Sequence, residues 1–398
     1  MRVILLSLLM VIILAATCAG CGEESETPAT SPASSEEPAT TSPPGEEPTT
    51  SSDYPRIASW LAKKDQIIES GKPYDLVMTA LFMPDEAGKI REANPDVKLL
   101  AGFTTNWVWQ NEAWIQTLLN VANHGSEKTF ELTDDMYLRK PGGDRCPFGW
   151  ESESWGQEEI YSMDPTNPEW VELITTFYKT LLEQPQHDGI VIDMVIETSL
   201  CREAISDEEW IEATRDIMAQ IQDYNTEDKL VVFNSGRDIS EIDEFAEYMD
   251  GYLMENFLGS WGADYETGLE AADSPYLIVY AVDTENTGEK NLNKMRLGLI
   301  LSLLNDNTYF TYDFGPRDHG QAWWFPEYNA DLGQPAGDYY EKDGAYWRDF
   351  EMGIVVSAPD SPVSVTFEVP HKDVSSGKQS TAFEVDKGDG RIFFKTGY

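Results

Sequence analysis

Two acids stand where acids are least expected. Asp193 ends the run Asp188, Gly189, Ile190, Val191, Ile192, and Glu255 ends the run Asp250, Gly251, Tyr252, Leu253, Met254. The phrase is the same in both: Asp-Gly, three apolar residues, then an acid. Apolar walls raise the pKa of a carboxylic acid by desolvation, while a nearby donor or cation keeps a second one ionised. Cleavage of a glycosidic bond needs such an unequal pair. The structural alternative is that each acid caps a helix or pairs with an arginine. The same embedding twice in one chain argues against it.

Other chemistries lack their residues. The four histidines include no pair at metal-ligand spacing, so no metal is expected. No Gly-x-Ser-x-Gly elbow supports esterase chemistry. No Gly-rich phosphate loop follows the first apolar run, and no cofactor is expected.

The elements that must carry these acids alternate between strand and helix. Apolar runs of strand length fall at 75–82, 97–103, 160–163 (the weakest), 189–196, 230–234, 251–257, 276–282 and 308–312. Their unbroken hydrophobicity marks strands buried on both faces, as in a parallel sheet covered by helices. Helices are signalled by Asn167-Pro168, by the capping box of Ser206 and Glu209, by Ser240 with Asp243, and by the wholly apolar stretch 292–304. Eight such units predict an α/β fold, a (β/α)8 TIM barrel over residues 54–348. Residues 104–159 form a long insertion, with a hairpin expected over 129–140, of the kind that builds a cleft. After 348 the pattern turns all-β and predicts a small sandwich-like domain, 349–398.

In such a barrel the chemistry sits at the C-terminal ends of strands. Reading those ends gives Asn106, Trp107 and Trp109, then Asp193 with Glu197, Asn234 with Arg237, Glu255, Asp283 and Asp313. The loop after the last strand crowds Arg317, Asp318, His319, Trp323 and Trp324 close to Asp313. Indole faces stack on sugar C–H surfaces, and the charged groups supply directional hydrogen bonds to hydroxyls. These residues are the expected substrate-binding set. For Trp323 and Trp324, packing beneath the C-terminal strands is an equal reading.

The N-terminus carries an address. Met1-Arg2 precedes an apolar run, 3–17, too short to span a bilayer, which reads as a signal segment. It ends in Ala19-Gly20-Cys21, which resembles a bacterial lipoprotein cleavage site with Cys21 as the lipidated residue. Cys18 sits where an aliphatic residue is usual and could itself be the acceptor, and ordinary secretory cleavage is the simpler alternative. Residues 22–53 hold eight acids, no base, and no aliphatic larger than Ala, so they read as an extended tether. The expected location is outside the cytoplasm, on the cell membrane through the lipid alone. In that oxidising setting Cys146 and Cys201 are expected to pair as a disulfide, two free buried thiols being the alternative. A formal charge of −43 excludes nucleic acid as a partner. The chain is expected to act as a monomer.

The stretch 309–337 (YFTYDFGPRDHGQAWWFPEYNADLGQPAG), followed by 347–357 (WRDFEMGIVVS), resembles glycosyl hydrolases of TIM-barrel type known mainly from sequence. The phrases at 160–170, 188–193 and 250–255 are similar to those of the endo-α-1,4-polygalactosaminidase group. The resemblance spans about residues 55–398. It implies a polysaccharide or oligosaccharide substrate, with Asp193 as nucleophile or base and Glu255 as proton donor. The alternative from another class is a lipoprotein that binds glycans without cleaving them. Having both acids in place favours the enzyme.

Overall fold

The computed structural model describes residues 54–147, 160–237, 239–271, 274–316, 319 and 321–396. The signal segment, Cys21 and the tether lie outside the described residues. The chain enters the fold on β1 (Ala58–Trp60), α1 (Lys64–Ser70), β2 (Leu76–Thr79), α2 (Pro84–Ala93) and β3 (Lys98–Ala101). The insertion follows, with β4 (Trp107–Trp109), α3 (Glu112–His124) and β5 (Ile160–Ser162). Alternation then resumes through α4 (Pro168–Glu183), β6 (Gly189–Ile192), α5 (Asp207–Tyr224), β7 (Leu230–Asn234), β8 (Gly251–Met254), α6 (Tyr265–Glu270), β9 (Leu277–Asp283), α7 (Leu292–Leu304) and β10 (Thr308–Asp313).

Eight strands pair in parallel in the order β1-β2-β3-β6-β7-β8-β9-β10. A parallel bridge between Ile57 and Phe310 brings the two edges together and closes the barrel. Two expectations change here. The first barrel strand is β1, three residues long and absent from the reading of the sequence. The run at 160–163 is not a barrel strand, because β3 pairs directly with β6 and leaves no place between them. It forms instead an antiparallel ribbon with β4, Trp107 opposite Ser162 and Trp109 opposite Ile160. The two errors cancel in the count, so β6 and β8 are still the fourth and sixth strands of the barrel.

Period-2 geometry divides the core. Ala58, Leu76, Met78, Leu100, Val191, Val232, Leu253, Val279 and Ala281 fill the barrel interior. Their neighbours along the strands, such as Val77, Leu99, Ile190, Phe233, Tyr252 and Tyr280, face the helices. Both faces being dry, the strands read as unbroken apolar runs. Helix starts follow the caps: Asn167 accepts from the Glu169 and Trp170 N–H groups at 2.9 and 3.1 Å, with Pro168 at the first turn. Ser206 and Glu209 make their reciprocal capping box. The helix expected after Ser240 is replaced by short 3-10 turns, Ile239–Glu241 and Asp243–Tyr248, before β8 begins at Gly251.

No hairpin spans 129–140. A 3-10 turn occupies Asp134–Met136, and antiparallel bridging begins only where Tyr137 meets Met163 and Arg139 meets Arg145. The C-terminal part is one antiparallel sheet rather than a sandwich. It starts before residue 349, with β11 (Tyr340–Lys342) and β12 (Ala345–Asp349), and continues through β13 (Gly353–Ala358), β14 (Val363–Asp373), β15 (Gln379–Val385) and β16 (Asp389–Lys395). Helix α7, buried at every residue from Met295 to Leu304, packs against β16 and does the work of a second layer.

Candidate active site

The alternation that fills the barrel also sets its mouth. Val191, Val232 and Leu253 point inward, so two residues further on Asp193, Asn234 and Glu255 take the same side at the C-terminal rim. Asn234 Nδ2 donates to Asp193 Oδ1 at 2.7 Å and to Glu255 Oε2 at 2.8 Å. Two contacts sharing one nitrogen keep those oxygens within about 5.5 Å of each other. The Asn234 oxygen accepts from the Gly236 N–H at 2.9 Å, which fixes the amide's orientation.

The two acids are unequal. Burial, then the charge of Glu255, pushes the Asp193 carboxyl up to about 7. Burial acts on Glu255 in the same direction, but the His319 imidazole and hydrogen bonds from His319, Asn234 and Trp60 outweigh it and hold Glu255 below its ordinary value. His319 Nε2 contacts Glu255 Oε1 directly, and Trp60 Nε1 donates to the same oxygen at 3.4 Å. Trp60 was missed with its strand. The short apolar run just before it was the available signal.

Backbone strain gathers on this rim. Leu61, Met194, Asn256, Leu258, Glu285, Asn286 and His319 all have left-handed φ between 46° and 63°, and all lie in loops following barrel strands. Such conformations cost roughly 1–3 kcal/mol each and concentrate at functional sites. At Gly102, after β3, a Cβ would stand 1.8 Å from the Val191 oxygen, so only glycine lets that strand end approach β6. A cavity of about 150 Å³ opens beside Asp193, walled by Trp60, Leu61, Phe103, Trp109 and Trp114. The Trp109 and Trp114 rings lie within 12° of parallel, and Phe103 packs on both. A larger hollow of about 560 Å³ lies between α4 and α5, lined by Glu172, Glu209, Glu212 and Asp216, and contains no residue of the site.

The remaining expected residues divide. Asp283 ends β9, its carboxyl raised chiefly by burial. Asp313 ends β10 and accepts from Gly315 N and Trp323 Nε1, both at 2.7 Å. With Trp323 stacked on Phe314 at 3.9 Å, these residues brace the loop that delivers His319. Arg237 is exposed on the rim and donates to the Trp261 carbonyl at 2.8 Å. Four placements correct the reading of the sequence. Trp107 is fully buried against Trp210, and its Nε1 donates to the Met194 carbonyl, so it supports the Asp193 loop from the core. Asn106 is buried and donates to Thr214 of α5. Glu197 accepts from the Glu244 N–H and caps a 3-10 turn. Trp324 packs edge-on against Tyr74, which precedes β2, and so lies toward the opposite end of the barrel. For these residues the strand end or loop is legible in the sequence, and the direction of the side chain is not. Arg317 and Asp318 lie outside the described residues. Cys146 and Cys201 are bonded, tying the insertion to the loop after β6. Among the described residues no cluster of acids, histidines or cysteines could hold a metal ion.

A family model described as hypothetical glycosyl hydrolase family 15 matches residues 91–354. No curated protein matches the chain. Among solved structures, the α-amylase of Geobacillus thermoleovorans complexed with acarbose is 13% identical, with 83% of this chain and 90% of that one covered at a TM-score of 0.47. A noncanonic maltogenic α-amylase, AmyB from Thermotoga neapolitana, is 8% identical, with 85% and 99% covered and a TM-score of 0.47. The glycoside hydrolase domain of PelA from Pseudomonas aeruginosa is 13% identical, with 66% and 95% covered and a TM-score of 0.40.

Proposed function

Since the chain belongs to hypothetical glycosyl hydrolase family 15, we propose that it hydrolyses glycosidic bonds of an extracellular or cell-wall polysaccharide, with Asp193 and Glu255 as the catalytic pair. The observation that carries this reading is the single Asn234 amide bridging two oppositely shifted carboxyls, Asp193 buried and Glu255 half-buried. Near neutral pH the pair holds about one proton. One member can then protonate a leaving oxygen while the other attacks or stabilises the anomeric centre. Facing carboxylate oxygens no more than about 5.5 Å apart favour the closer spacing of retaining enzymes over the about 6.5–9.5 Å that admits an attacking water.

The resting electrostatics put the proton on Asp193, whereas the likeness to the polygalactosaminidase group implies that Asp193 is the nucleophile or base and Glu255 the proton donor. Azide rescue of the two alanine variants separates these roles. An inverted glycosyl azide forms where the nucleophile is missing, and a retained one where the acid is missing. The same likeness supports testing hexosamine polymers first, and the surface acidity has the sign that attracts a polycation. The likeness at Cys21 supports export and lipid anchoring, with residues 22–53 as tether. The test of activity is release of reducing ends from a polysaccharide panel by the full-length protein in detergent. Asp193→Asn and Glu255→Gln should each reduce turnover by at least about 10²-fold. Near-wild-type turnover in either variant removes that residue from the pair.

A further inference from the structure

The loop after β8 presents a feature that the catalytic pair does not use. Trp261 is 37% exposed, the most exposed tryptophan among the described residues. We propose that its indole is a binding platform for a pyranose ring of the substrate chain adjoining the one whose bond is cleaved. The proposal rests on the glycoside hydrolase reading and adds a subsite to it.

The platform is built and fixed. Asn256 and Leu258 take left-handed conformations, and the loop closes through Gly259 N to Asn256 O at 2.7 Å and Leu258 N to Ala263 O at 2.9 Å. At Gly262 a Cβ would lie 2.1 Å from the Asn256 oxygen and 2.8 Å from that of Glu255, so the residue after Trp261 is pressed against the catalytic segment itself. With the Asn256 amide turned so that its oxygen and nitrogen exchange places, the orientation its neighbours require, the indole N–H donates to the amide oxygen at 2.7 Å and the amide nitrogen donates to Asp283 at 3.0 Å. Arg237 holds the Trp261 carbonyl, and Glu285 accepts from Ser260 N at 2.6 Å.

The position is also right. A Cβ on Gly236 would lie 3.7 Å from the Trp261 ring, and Gly236 N–H is the group that orients Asn234 between the two acids. The indole therefore lies beside the residue whose N–H orients the bridging amide. Its N–H is already engaged, so it offers a ligand its carbon surface. A fixed, wet aromatic surface loses little entropy on binding and suits the C–H face of a sugar, while Arg237 and Glu285 nearby can meet hydroxyls.

The test is affinity electrophoresis of the full-length Asp193→Asn protein through gels cast with starch, galactan, hydroxyethylcellulose or glycol chitosan. At least one polymer should retard it. Adding Trp261→Ala should weaken that interaction about tenfold or more, and Trp261→Phe, which keeps an aromatic face, should restore most of it. On the otherwise wild-type chain, Trp261→Ala should raise KM by about tenfold and change kcat by less than about threefold. Equal retardation with and without the indole, or no retardation by any of the four polymers, overturns the platform. The two readings fail separately. Loss of binding in Trp261→Ala with full turnover in Asp193→Asn would leave the platform standing and remove the carboxylate assignment. A dead Asp193→Asn with unchanged binding in Trp261→Ala would do the reverse.

Discussion

Asn234 has a role that no charge count would reveal. Its side chain lowers the pKa of both Asp193 and Glu255, because one N–H₂ group donates to both ionised forms. Removing it acts on both acids in the same direction. In Asn234→Ala each carboxyl loses a donor and rises, so both limbs of the kcat/KM profile should move to higher pH. In wild type the alkaline limb should lie near pH 7, where Asp193 gives up its proton, and the acid limb lower, where Glu255 becomes protonated. Turnover at the optimum should fall at least about tenfold. A profile scaled down but unmoved along the pH axis would show that Asn234 only packs.

At the scale of elements, the insertion is held to the C-terminal rim of the barrel at two points. Trp107 of β4 donates to the Met194 carbonyl, one residue beyond Asp193, and the Cys146–Cys201 bond joins the same two segments further out. Replacing both cysteines with serine should cost about 2–4 kcal/mol in denaturant unfolding, the usual loss when such a bridge is removed. If the bond also steadies the Asp193 loop, kcat should fall at temperatures where the protein stays folded. An unchanged midpoint would show that the cross-link stabilises nothing. Much of this architecture could be read from residue patterns, because unbroken apolar runs and capping boxes are local signals. β6, β7, β8 and β10 were legible for that reason, and so were Asp193 and Glu255 within them. β1 was not, since three residues carry too little pattern. β5 was read as a barrel strand because its partner, β4, lies more than fifty residues away. The directions of Trp107, Asn106 and Glu197 depend on where α5 and the 3-10 turns pack, which no local spacing encodes.

At the scale of the whole molecule, two arrangements are separable. One is the address: if Cys21 carries lipid, the full-length protein should partition into detergent, and Cys21→Ala should release it or block its processing. Unchanged partitioning of a correctly processed variant would remove the anchor. The other is the join between barrel and terminal sheet. Asp389 of β16 is fully buried and accepts from Arg296 of α7 at 2.7 and 3.0 Å and from Arg391 at 2.8 Å. Next to it, a Cβ on Gly390 would stand 2.8 Å from the Arg296 carbonyl, so helix and strand meet backbone to backbone. Removing the acid alone leaves the nearly buried Arg296 guanidinium uncompensated, and Asp389→Ala should cost about 3–5 kcal/mol. Removing both charges is a different matter, because an apolar pair of similar volume avoids the desolvation that an ion pair must offset. Arg296→Met with Asp389→Leu should therefore recover most of the loss, although Arg391 keeps part of the penalty. If the double variant is as unstable as the single one, the join depends on the hydrogen bonds themselves. If the single variant is as stable as wild type, the sheet is held by the apolar face of α7 alone, and the ion pair contributes nothing to the join.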